Sequence, residues 1–329
     1  MNMMSLRSYL RFHTALQLSL ALESAEETLV GGQAVLEGVM MRSPHAWGIA
    51  IRKPDGNLAT HSEPLEKASE KSPWKGWPFI RGIMTLGSAM VLGFKALRYS
   101  ADVALENEKT ESGEKLEMNG WVAALNITLS LGFFIFMYKF LPFAAARSLR
   151  HWLPQTSNTV LFALVEGIIR LALFLSFIWL TSRWQDIRRV YQYHGAEHKT
   201  VFAFENHDPL TAQAVQRYST FHPRCGTSFL MTVMIISIAV YALVPVHSFW
   251  AGFASRIVLL PVIAGGSYEI IRFAAKKRSS LFALMTAPGL WLQRITTQPP
   301  DDHQVECAII ALNHAMELEE KQGGELVIA

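Results

Sequence analysis

Charge and cysteine are both scarce in this chain of 329 residues. Charged residues make up 17% of it, against roughly 25% in a typical soluble domain. The two cysteines, Cys225 and Cys307, cannot build a disulfide framework. They fit a reducing compartment and leave Cys225 free to ligate a metal. The formal net charge is only +3, and no Lys/Arg-rich stretch is interleaved with aromatics, which argues against nucleic acid as a partner. Phosphate-loop spacing is missing from the glycine-rich segment 31–42, so nucleotide binding is discounted. No Ser-His-Asp order and no glycosidase-like pair of acids stands out.

Apolar sequence takes the place of charge. Hydrophobic residues reach 50%, gathered into runs long enough to cross a bilayer, where about 20 residues are needed. Four spans are expected, at 120–141, 159–181, 227–244 and 249–273. A fifth apolar segment, 79–97, holds Arg81, Lys95 and several glycines, and predicts an interfacial or buried helix rather than a span. Trp47 to Arg52 alternates, Lys53-Pro54-Asp55-Gly56 suits a type I turn, and Asn57 to His61 returns, which predicts a β-hairpin. The expected fold is therefore mainly α, a polytopic membrane helical bundle of about four spans with a small cytoplasmic part that includes the hairpin.

The chain divides into an N-terminal extension (1–30), a cytoplasmic segment (31–118), a membrane domain (119–274) with a metal-site loop at 183–226, and a cytoplasmic C-terminal segment (275–329). In the extension, Arg7 and Arg11 precede a short interrupted apolar stretch without a clean cleavage site. This predicts an amphipathic helix or a poorly ordered extension rather than a signal peptide. Glu106 to Glu117 reads as a solvated linker, and Lys276-Lys277-Arg278 as a membrane exit. The loop after the second span carries Arg183, Arg188, Arg189, Lys199, Arg217 and Arg224, whereas the 244–249 connection has no basic residue. The positive-inside rule puts that loop and both termini in the cytoplasm of a bacterial inner membrane.

His194-Gly-Ala-Glu197-His198 is the most informative motif. Positions 194 and 198 share one helix face, with Glu197 beside them. In this H-x-x-E-H arrangement two histidines hold a zinc ion and the carboxylate handles a water. The plain alternative is a pair of surface histidines beside an acid, and Gly195 lowers helix propensity there by about 1 kcal/mol. His222-Pro-Arg-Cys225 offers a second ligand pair in the same loop, against the alternative of a turn with a buried free cysteine. Glu269 lies inside an apolar span about 70 residues after His198, where such peptidases place a carboxylate ligand. A pair with Arg272 is the competing reading. Glu166 and Arg170, at i and i+4 in the second span, are expected to neutralise each other in the bundle interior, with an ion path as the sharper alternative. Asp301-Asp302 suits a helix N-cap, and segment 31–42 a loop packed on the membrane domain.

Taken together, GGQAVLEGVMMR, YHGAEHKT, HPRCGTSF, GGSYEIIR and PGLWLQRITT followed by PDDHQVECAI resemble the YqhQ-type bacterial membrane proteins, over roughly residues 31 to 315. That family is built around a domain of unknown function and grouped as predicted metal-dependent enzymes. The motif positions the resemblance carries over are Gln33, Glu37, His194, Glu197, His198, His222, Arg224, Cys225, Glu269, Asp301 and Asp302. Two departures stand out. Pro299 replaces an acidic residue, and Cys307 sits where the family is apolar, which argues for packing rather than ligation.

The expectation is a zinc-dependent hydrolase of the cytoplasmic membrane. His194 and His198 would be ligands, with Cys225, His222 or Glu269 completing the set. Glu197 would be general base, while Gln33, Glu37 and Arg224 orient ligands or substrate. The divalent metal favoured by such mixed donors is zinc, with iron as the other option. The partners are the lipid bilayer and a substrate that the residues do not name; self-association stays open. The rivals are a non-enzymatic assembly factor with a closed metal site, and a transporter using Glu166, Arg170 and Glu269.

Overall fold

The computed structural model describes residues 30–65, 74, 77–105, 120–152, 158–245, 248–276 and 280–321. The N-terminal extension, the 106–117 linker and the basic pair Lys277-Arg278 lie outside them. The chain is mainly helical, 71%, with one four-stranded antiparallel sheet in strand order β1-β2-β3-β4.

The expected hairpin exists as β3 (Ala46–Arg52) and β4 (Leu58–Pro64), and Gly56 N closes its turn on the Lys53 carbonyl at 2.9 Å. The segment expected to be a packed loop is instead a second hairpin, β1 (Gly31–Val35) and β2 (Gly38–Arg42), so the sheet is twice the anticipated size. Its apolar runs lack a clean alternation because both sheet faces are covered. Val39, Met41 and Ala50 pack against the last helix, while Val35, Met40, Trp47 and Ile49 pack against the first.

That first helix, α1 (Ile80–Leu105), was expected to lie at the interface rather than cross. By length and composition it qualifies as a candidate span, and Met90, Val91 and Phe94 are exposed on its flank. Its contacts divide it. Leu92, Ala96 and Val103 cover the sheet, and near its start Gly82 packs against Tyr268.

The bundle follows. α2 (Gly120–Ile135) runs through a π-turn at Phe136–Phe140 into α3 (Leu141–Ser148), and α4 spans Thr159–Thr181. Then come α5 (Gln185–Glu205), the single turn α6 (Ala212–Val215), α7 (Gly226–Ala242), and α8 (Phe249–Val258) bent by 41° into α9 (Leu260–Lys276). α10 (Ser280–Thr296) and α11 (Asp302–Lys321) complete the chain. Among the described residues, three helices are long and apolar enough to cross a membrane, or four if the bent pair is one span. Exposed tryptophans at helix ends, Trp121, Trp152, Trp184 and Trp250, suit membrane boundaries.

The Glu166–Arg170 pair forms inside the bundle as expected, at 2.5 Å, but a third member was missed. Arg256 from α8 grips the same carboxylate at 2.7 Å, and Glu166 is fully buried. At the opposite end, Asp301 caps α11: its carboxylate accepts from Gln304 N at 2.8 Å, and Gln304 Oε1 accepts from Asp301 N at 3.0 Å. Cys307 packs in the core of that helix, as its surroundings in sequence imply.

Replacing Glu166 by Leu strands two guanidiniums in the bundle interior. Thermal unfolding in detergent is expected to show a loss of about 3–5 kcal/mol; an unchanged midpoint would mean the carboxylate does not hold α4 to α8.

Candidate metal centre

Both imidazoles of the motif stand on α5. Their ring centroids are 4.4 Å apart, the spacing that one helical turn gives. Gly195 between them leaves the helix regular despite its propensity. The reason is a close approach: a Cβ at Gly195 would lie 2.2 Å from the Gln298 carbonyl oxygen. Gln298 N in turn donates to the Tyr191 carbonyl at 2.9 Å, so the chain leaving α10 runs directly over this face of α5.

That contact places a backbone acceptor on one histidine. The Thr296 carbonyl, at the end of α10, accepts from His194 Nδ1 at 2.8 Å, and the Thr220 carbonyl accepts from His198 Nδ1 at 2.5 Å. A carbonyl oxygen can only accept, so both Nδ1 atoms carry hydrogen and only Nε2 can change state. Each Nε2 turns toward the same sulfur. Cys225 Sγ lies 3.2 Å from His194 Nε2, while His198 Nε2 is buried and makes no hydrogen bond among the described residues.

Cys225 is the N-cap of α7, and its sulfur accepts from Thr227 N at 3.5 Å and Thr227 Oγ1 at 3.3 Å. The loop before it is clamped by Gln293 of α10, whose amide bonds His222 N and His222 O at 2.8 Å each. As a result the ligand atoms of His194, His198 and Cys225 all lie within 4.8 Å of one another. Two imidazoles whose far nitrogens are tied to carbonyls, facing a thiol at a helix N-terminus, are a donor set that suits a borderline-soft divalent cation. The unpartnered His198 Nε2 is the atom such a cation would satisfy.

Glu197 is 6% exposed, and its Oε2 lies 3.4 Å from His198 Nε2. The backbone of β1 passes close over it: a Cβ at Gly32 would sit 2.7 Å from Glu197 Cγ. The three cluster residues and Glu197 share a cavity of about 650 Å3 with β1, β2, α1 and Tyr268 of α9.

Other expected members do not join the three-residue cluster, although His222, Arg224 and Gln33 line the same cavity. His222 is not brought into the cluster. Its Nε2 turns to Glu205 at 3.4 Å, its Nδ1 accepts from Arg224 N at 3.3 Å, and its ring centroid is 5.7 Å from His198. Glu269 is not brought there either, and its partner is not Arg272. Arg81 of α1 takes the carboxylate in a bidentate pair, and Phe79 N donates to it at 3.1 Å. Glu37 sits at the β1–β2 turn with φ of 53°, paired with Arg189 and 3.3 Å from the Tyr193 hydroxyl, where it latches the hairpin to α5. Arg224 lines the cavity but is neutralised by Glu205. Gln33 also lines it, with its side chain against Gly93 of α1. Sequence reasoning missed Gln293, Thr227 and the two carbonyl acceptors; backbone acceptors leave no trace in residue type.

Burial disfavours charge throughout the cluster, but mutual attraction outweighs it. Burial lowers His198, while the facing Cys225 sulfur and Glu197 raise it, to about 9. Burial raises Cys225, while His198 and His194 hold its thiol well below the ordinary range. His222, away from the sulfur, is lowered by burial against the pull of Glu205. In the packed interior, burial pushes the Cys307 thiol up to about 11.

Two outcomes follow from this geometry. Gly195→Ala is expected to push the 296–298 backbone off α5, lowering both thermal stability and metal retention, with a stability loss of about 2 kcal/mol or more; full retention of both would contradict the close approach. After chelator treatment, iodoacetamide labelling followed by mass spectrometry is expected to modify Cys225 and spare Cys307. The Cys225 rate should stay level as pH falls through the ordinary thiol range near about 8.5 and drop only below its lowered pKa. A midpoint at the ordinary value would contradict the electrostatics.

Comparison with known proteins places the chain among proteins of the same kind. A family model described as a protein of unknown function, DUF1385, matches residues 77–318. The protein printed as "Uncharacterized protein YqhQ" from Bacillus subtilis (strain 168) is 36% identical over 299 residues, which cover 88% of this chain and 92% of YqhQ. No solved structure matches.

Proposed function

This chain belongs to the DUF1385 family of unknown function that includes YqhQ, and from its geometry we propose that it is a zinc-dependent hydrolase of the bacterial cytoplasmic membrane. One observation carries the reading: two Nδ1-anchored histidines and a helix-capping cysteine converge from α5 and α7, with His198 Nε2 buried and unpartnered. Two imidazoles and a thiolate favour zinc over the hard cations. Three protein ligands leave a coordination position open, the pattern of catalytic rather than structural zinc.

A divalent cation there supplies Lewis acidity toward a water or a substrate oxygen. Glu197, beside the ligands and lining the same cavity, accepts a proton from a water and returns it to the leaving group. The Thr296 and Thr220 carbonyls keep the imidazoles aimed, and Gln293 fixes the loop that delivers Cys225. The cavity borders α1, whose flank is apolar and exposed, so substrate would reach the site at the membrane boundary. The basic loop of α5 and its surroundings, with Arg183, Arg188, Arg189 and Arg217, supports a cytoplasmic placement of this end and of both termini.

Protein purified from membranes is expected to carry about one zinc per chain, lost in His194→Ala and Cys225→Ser. Glu197→Gln should keep the metal yet fail to replace wild type in cells whose own copy is deleted. A fully functional Glu197→Gln protein would instead mark a closed, structural metal site.

A further inference from the structure

The cavity that holds the cluster also holds a guanidinium that no carboxylate pairs with directly. Arg42 ends β2, and its side chain lines the cavity with the cluster and Glu197. Four other arginines are matched by carboxylates: Arg224 by Glu205, Arg81 by Glu269, Arg189 by Glu37 and Arg52 by Glu306. The Arg42 side chain makes no hydrogen bond or ion pair among the described residues. Burial lowers the Arg42 pKa from its ordinary value, with Tyr268 pulling weakly the other way. A half-buried guanidinium without an anion is unfavourable, so a cavity lined by one favours an anionic guest.

Much of the remaining wall is apolar. Leu86, Ala89 and Leu92 of α1 face Met40 and Val201, and Phe229 of α7 closes the side. The other flank of α1 presents Met90, Val91 and Phe94 outward. An anion held by water-filled polar walls would be a small soluble ion. An anion in an apolar cavity between a sheet and a lipid-facing helix brings an apolar chain with it.

We propose that the cavity binds an anionic lipid from the adjacent leaflet, its headgroup phosphate paired with Arg42 and its acyl chain lying along Leu86, Ala89 and Leu92. This names the substrate class for the hydrolase reading and rests on it for the chemistry, though the binding itself needs no metal. The charge pair favours net-anionic phospholipids over zwitterionic ones, because the added ammonium of the latter would lie close to the Arg42 guanidinium. Gln33, fixed against Gly93, stands at the same wall as a neutral hydrogen-bonding group for the headgroup.

The test is calorimetric titration of the full chain in detergent with dihexanoyl-phosphatidylglycerol, dihexanoyl-phosphatidylcholine and inorganic phosphate, with metal content measured on each sample. Wild type should bind the phosphatidylglycerol at least about tenfold more tightly than either alternative. Arg42→Gln should remove that preference, Arg42→Lys should keep part of it, and the exposed Arg188→Gln should leave it intact. Ala89→Trp, which fills the apolar wall without touching charge, should weaken the lipid and not inorganic phosphate. Equal affinity of Arg42→Gln and wild type for the lipid would overturn the proposal, as would inorganic phosphate binding as tightly as the lipid. Wild type that binds lipid but holds no zinc would sink the hydrolase reading and leave the lipid site standing. Zinc retention without lipid preference would do the reverse.

Discussion

Two hydrogen bonds from imidazole Nδ1 to backbone carbonyls are the constraint on which this site depends. A histidine free to rotate offers either nitrogen to solvent, and two of them on a helix are a surface pair and nothing more. Here the Thr296 and Thr220 carbonyls fix both rings and both tautomers at once. That leaves the two Nε2 atoms facing one sulfur, in an arrangement that could hold a divalent cation.

Much of the fold serves to deliver those two carbonyls. α10 packs along α7, and its end crosses α5 at Gly195, where only a glycine admits the passing backbone. Gln293 on the same helix holds the loop that supplies the Thr220 carbonyl and Cys225, so one element sets both the acceptors and the thiol. The sheet, clasped between α1 on one face and α5 with α11 on the other, closes the cavity from above, and Gly32 lets β1 approach Glu197. Ion pairs that the sequence offered as chemistry turn out to be fasteners. Glu37 to Arg189 ties the hairpin to α5, Glu269 to Arg81 ties α9 to α1, and Glu166 binds α4 to α8 through Arg256.

The sequence was legible where a pattern is local. The i, i+4 histidines, the Lys53–Gly56 turn and the Asp301 cap each depend on a few neighbouring residues, and each is where it was expected, whereas the span expected at 227–244 is a shorter apolar helix, Gly226–Ala242. Cys225 was recognisable as a ligand only as one of three options, because choosing among Cys225, His222 and Glu269 requires knowing which side chains other groups have already claimed. Glu205 claims His222 and Arg81 claims Glu269, and neither contact has a sequence signature. The β1–β2 hairpin was misread as a loop because β2 is buried on both faces, which erases its alternation. α1, expected to be an interfacial or buried helix, qualifies as a candidate span by length and composition, and its charges Arg81 and Lys95 are paired with Glu269 and Glu63. Gly195, which looked like a weakness in the helix, is the residue that admits the crossing chain.

X-ray absorption at the zinc edge of the purified, zinc-loaded protein tests the account most directly. The account predicts a single site whose inner shell holds two nitrogen neighbours at about 2.0 Å and one sulfur neighbour at about 2.3 Å, with a light oxygen scatterer in the remaining position. A shell of oxygen atoms alone, or a protein that takes up no zinc, would contradict it.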